Sequence, residues 1–143
     1  MIFRILHWAS RLLLAGIFLY SGYVKQRSPL QFAAAIAGYN LVPASLVLPL
    51  ASYLPWAEVA LGIFLLTGWK SRHAGLVATG LLVVFLSALT ITYARGIDAD
   101  CGCFASSERI SPRTITRDGL LLLPAVFLAI GRPQKQAPAD KPL

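Results

Sequence analysis

The chain has two cysteines, and a single residue separates them, in the run Asp98-Ala99-Asp100-Cys101-Gly102-Cys103-Phe104. Two thiols this close suit a redox couple or a pair of ligands for a soft metal. Bridging them closes a tight ring, which stores strain and makes the bond easier to exchange. Gly102 helps, because it can adopt the positive φ that such a ring demands. Asp98, Asp100 and Glu108 disfavour the thiolate, whereas Arg95, Arg109 and a following helix start favour it. Inert burial is the plainer role for cysteine, but it suits a polar, glycine-containing loop poorly. A zinc site wants four ligands, and His7 and His73 are expected at the other end of the molecule. No metal is therefore assigned, although two thiolates would satisfy copper(I), and a purely structural disulfide stays open.

A second set of chemical groups lies in apolar surroundings. Glu58 falls deep in one apolar run and Arg11 two turns into another. Ionisable groups at such depth are costly and mark functional sites or clamps between helices. Arg11 is about 9 Å in from residue 5, and Glu58 about 13–14 Å in from residue 67, at 1.5 Å per helical residue. A guanidinium spans that difference, so the sequence predicts an Arg11–Glu58 ion pair inside a bundle. Lys25 is the rival partner should Pro55 begin a new helix. Asp100, Arg117 and Asp118 are the charges expected to support the cysteine loop and the start of the last helix.

The elements that must hold these groups are membrane helices. The 143 residues are 57% hydrophobic and 13% charged, with mean hydropathy +0.66, against about 25% charged in soluble domains. Residues 74–94 form an uncharged apolar run, as long as the roughly 20 residues needed to cross the hydrocarbon. A soluble helix apolar on every side would need far more protein around it. Residues 5–24 and 44–67 are similar, interrupted by His7 and Arg11 in one and by Pro49, Pro55 and Glu58 in the other. No small-x-small cleavage site follows the first run, which reads as a retained helix rather than a signal peptide. The fourth helix, 112–130, starts at Ser111-Pro112, a capping residue followed by a proline suited to the first position. Residues 25–43 contain a short interfacial helix, with Phe32, Ala35, Ile36 and Tyr39 at helical spacing and Asn40 and Pro43 ending it.

The expected fold is thus all-α, an integral membrane four-helix bundle over residues 1–131, followed by a disordered polar tail at 132–143. Four spans put both termini on one side. Lys and Arg then divide seven against six between the sides, which does not orient the chain under the positive-inside rule. The net charge of +7 reads as contact with the lipid bilayer rather than with nucleic acid. A disulfide needs an oxidising compartment, so the loop is expected in the periplasm and both termini in the cytoplasm, in an inner membrane. Four thin helices enclose little, and a homo-oligomer is compatible with the sequence.

Arg11-Leu12-Leu13-Leu14-Ala15-Gly16 with Ser21-Gly22 and Lys25, then Leu54-Pro55-Trp56-Ala57-Glu58 with Gly62, resembles the DoxX-type membrane proteins. Asp100-Cys101-Gly102-Cys103-Phe104, Ile110-Ser111 and Arg117-Asp118 are similar to their MauE branch. The resemblance runs over about residues 4–130, with Ala105 where the family often carries glycine. It implies a bacterial inner-membrane protein linked to thiol–disulfide chemistry. Such a protein works beside a thioredoxin-like partner or a maturing periplasmic substrate, as the disulfide-rich small subunit of methylamine dehydrogenase requires. Redox cycling at Cys101 and Cys103 would need an electron exit, for which a quinone is the natural cofactor. Trp56, Phe64, Phe85 and Tyr93 are aromatic enough to line its site but serve equally as packing and interface anchors. Non-enzymatic assembly and copper handling are the competing functions.

Overall fold

The computed structural model describes residues 1–99 and 109–131; Asp100, Cys101, Cys103 and the tail at 132–143 lie outside them. Among the described residues five helices follow one another: α1 (Ile2–Arg27), α2 (Pro29–Gly38), α3 (Ala44–Thr67), α4 (Ser71–Ala94) and α5 (Pro112–Ile130). Among the described residues there is no strand. Three helices, α1, α3 and α4, are long and apolar enough to cross a membrane. The 19-residue α5 carries Arg113, Arg117 and Asp118 in its first half and falls outside that group.

Local chemistry explains the ends. Ser111 accepts a hydrogen bond from the Thr114 backbone N–H at 3.3 Å, with Pro112 at the first position, as expected from the sequence. Ser28-Pro29 opens α2, and Asn40 closes the turn after it at φ +51°. Phe32, Ala35, Ile36 and Tyr39 are all buried, which is the face their spacing foretold. Pro49 and Pro55 both lie inside α3, which runs unbroken to Thr67. Gly68 then ends it in the left-handed region at φ +74°, where a residue without Cβ is unstrained.

The main core lies where α1, α3, α4 and α5 meet, around Leu14, Phe18, Leu65, Ala78 and Leu128. Glycines set how closely the helices approach. A Cβ on Gly22 would lie 2.6 Å from Val59 Cγ2 and 2.9 Å from the Pro55 carbonyl oxygen. One on Gly62 would lie 2.7 Å from Leu19 Cγ. These contacts place Gly22 of α1 level with Val59 of α3, and Leu19 level with Gly62. On the other side, Gly75 of α4 meets the α5 backbone at Leu128 and Ala129. Leucine, tyrosine and tryptophan side chains cover the outside: Leu48, Tyr53, Trp56 and Leu123 are more than 60% exposed. In a chain with three span-length helices, such an outer surface suits lipid.

Candidate functional site

Glu58 faces inward, with Lys25 beside it. Lys25 Nζ lies 2.8 Å from Glu58 Oε1, and both side chains are nearly buried (5% and 11% exposed). Ser21 Oγ stands 3.4 Å from Glu58 Oε2. The ammonium also sits over two aromatic faces, 4.7 Å from the Phe32 centroid and 5.6 Å from that of Phe85. A carboxylate and two π-faces thus surround the ammonium in an apolar site.

Arg11 is not the partner of Glu58 in this arrangement. Its Nε donates to the Leu65 carbonyl at 3.0 Å and its Nη2 to the Leu66 carbonyl at 3.1 Å, and its guanidinium stacks 4.4 Å from the Trp8 centroid. It caps the C-terminal end of α3, where helix carbonyls lack partners and a cation meets the negative end of the dipole. Glu58 is seven residues before Leu65 on α3, about 10 Å away at 1.5 Å per residue. The depth comparison failed because it aligned residue 5 with residue 67. The glycine contacts shift α1 instead, so that Arg11 rather than residue 5 meets the end of α3. Lys25 was the rival, but its expected cause is absent: α3 does not restart at Pro55.

The ion pair forms one wall of a cavity of about 370 Å³, lined by α1, α2, α3, α4 and α5. Apolar side chains such as Leu54, Leu81 and Phe85 make up most of the lining, and its polar members are Ser21, Lys25, Glu58 and Asp118. Asp118 was expected among the charges of the loop and helix start. Its side chain is 5% exposed, lines the cavity and accepts a hydrogen bond from Arg117 Nε at 3.2 Å. The signal was present in the sequence: Thr114 and Asp118, four apart, share the buried face of α5. Ser21 carried no comparable sign. Of the aromatics considered, Phe85 lines the cavity, whereas Trp56, Phe64 and Tyr93 are exposed.

Cys101 and Cys103 are outside the described residues, and the residues on either side of that stretch come together. The Ile110 N–H donates to the Ala99 carbonyl at 3.1 Å, clasping the two strands of the loop. Ala99 is buried with Tyr39 and Leu89, and Phe85, Ile97, Ile110 and Ile115 pack around them. Arg95 Nη1 reaches the Asn40 carbonyl at 3.4 Å, joining the end of α4 to the end of α2. Phe85 belongs both to this cluster and to the cavity lining. Asp118 is less than one helical turn beyond Ile115 on α5. The polar end of the cavity therefore lies directly beneath the loop root. His7 and His73 are at the other end: His7 Nδ1 lies near Gly131, and His73 lines a separate cleft with Trp69 and Lys70. Among the described residues no group of three metal-ligating side chains assembles.

The family model described as methylamine utilisation protein MauE matches residues 3–131. The chain is similar to proteins named methylamine utilization protein MauE from Methylophilus methylotrophus (36% identity over 73% of this chain and 54% of that one) and Paracoccus denitrificans (30% over 88% and 69%). A third, from Methylorubrum extorquens, is 35% identical over 73% of this chain and 58% of its own. The chain thus spans between about half and two thirds of the length of these relatives. No solved structure matches it.

Proposed function

The chain belongs to the MauE family, and from that premise we propose that it is a membrane-embedded thiol–disulfide component assisting the maturation of periplasmic proteins in methylamine utilisation. Cys101 and Cys103 are the exchanging pair. A client or thioredoxin-like partner dithiol attacks their disulfide through a mixed disulfide, leaving the client oxidised and the pair reduced. Two electrons and two protons must then leave for a lipid-soluble acceptor of the quinone class before the next cycle. The loop faces the periplasm of an inner-membrane protein, both termini face the cytoplasm, and α5 is the fourth crossing.

The observation that carries this reading is the clasp between Ala99 and Ile110. It joins Ala99 to Ile110, the residues that bracket the ten-residue stretch 100–109 with both cysteines, at the end of the bundle where the polar groups of the cavity lie. Trapping the thiols with a maleimide in cells after oxidant and reductant treatment tests it. Both thiols are expected to change state together, and the Cys101→Ser/Cys103→Ser variant to lose at least tenfold in client maturation. A pair that never changes state overturns the reading, as does undiminished maturation in the double variant, which a scaffold role predicts. Stoichiometric copper on the reduced protein, lost in that variant, would assign the pair to copper handling instead.

A further inference from the structure

The cavity beneath the loop root has the composition of a small-molecule site: mostly apolar lining with a few convergent polar groups, and a volume within the usual range of about 300–1,000 Å³. It lies between all five helices, and its polar residues are all buried. Keeping a lysine and two carboxylates in such a place is costly, and burial alone would favour apolar residues.

Charge decides which ligand the cavity fits. Among the described residues that line it, Lys25 is the one cation, and it is paired with Glu58. The described lining, with Lys25 set against Glu58 and Asp118, carries no net positive charge to draw a phosphate or a fatty-acid carboxylate, so anionic lipids are poor occupants. A neutral ring bearing carbonyl oxygens is a good one. The Lys25 ammonium keeps N–H donors beyond the one that meets Glu58, the flat ring meets Phe85, and an apolar tail continues along Leu54, Leu81 and Leu50.

We infer that this cavity, headed by Ser21, Lys25, Glu58 and Asp118, binds the ring of a lipid-soluble quinone. The inference rests on the thiol–disulfide reading for its purpose, since that cycle needs an acceptor of two electrons and two protons. In the balanced step, quinone plus the Cys101/Cys103 dithiol gives quinol plus the disulfide. Binding itself rests only on the cavity.

The test is therefore a binding measurement on the purified full chain in detergent, with decylubiquinone as the probe. Saturable binding at one per chain is expected. Ala88→Phe, which fills the cavity from α4, should weaken binding at least tenfold, and Leu54→Trp serves the same purpose from α3 if the first variant does not fold. Ser87→Phe, on the exposed side of α4, should bind normally. The Cys101→Ser/Cys103→Ser variant should also bind normally, so that failure of the thiol cycle and failure of the quinone site can be told apart. Absence of saturable binding overturns the inference. Equal binding in both cavity-filling variants, or a co-purified phospholipid that decylubiquinone cannot displace, does the same.

Discussion

Lys25 and Glu58 form a pair whose energetics depend on both members being present. Each alone would be an uncompensated charge among Phe32, Phe85 and leucines. Removing one partner of a buried pair costs about 3–5 kcal/mol, whereas replacing both with apolar groups of similar size is often neutral. Lys25→Met and Glu58→Met are each expected to lower the thermal midpoint in detergent strongly, and the double Met variant to recover most of it. A double variant as unstable as the sum of the singles would mean that the two side chains do not interact. Arg11 acts differently, through two carbonyls at the end of α3, where its role draws on guanidinium geometry as well as on charge.

Helix packing in this molecule is governed by where side chains are missing. Gly22 and Gly62 let α1 and α3 approach until Val59 and Leu19 fill the space that a Cβ would take. Gly16 and Gly80, by contrast, have open space around them. Gly22→Ala is therefore expected to destabilise by about 1–3 kcal/mol through overpacking against Val59 and the Pro55 carbonyl. Gly16→Ala and Gly80→Ala are expected to be neutral or to stabilise by up to about 1 kcal/mol, the helix preference for alanine over glycine. Thermal unfolding of the three variants in one detergent checks the contrast. The same close approach sets the register that puts Lys25, rather than Arg11, against Glu58. A looser α1–α3 contact in the Gly22 variant would also disturb the cavity.

At the scale of the whole molecule, three span-length helices and an outer surface of large apolar side chains make this a membrane protein. The orientation follows from chemistry under the proposed function, because lysines and arginines are nearly balanced between the two ends. Alkaline phosphatase, active only in the periplasm, supplies the check. Inserted within residues 100–108 it is expected to be active, and fused after residue 131 inactive, with α5 as the fourth crossing. Activity at both positions would leave α5 lying on the periplasmic side instead.

Much of this was legible in the sequence because it depends on local or averaged properties. Run length and the scarcity of charge specify membrane helices whatever packs against them. Ser111-Pro112 and Ser28-Pro29 announce helix starts, since capping is satisfied within one turn. The spacing of Phe32, Ala35, Ile36 and Tyr39 showed which face of α2 would be buried. The cysteine pair stood out by residue type alone. What required the tertiary structure was relative position between helices distant in the chain. An antiparallel register cannot be read from helix ends, because α1 slides along α3 until Gly22 meets Val59 and Leu19 meets Gly62. That shift of several residues gave Glu58 to Lys25, turned Arg11 into the cap of α3, and brought Ser21 and Asp118 to one cavity. A helix carries its own hydrogen bonds and so can be inferred locally, whereas a site between helices exists only once their side chains have settled against each other.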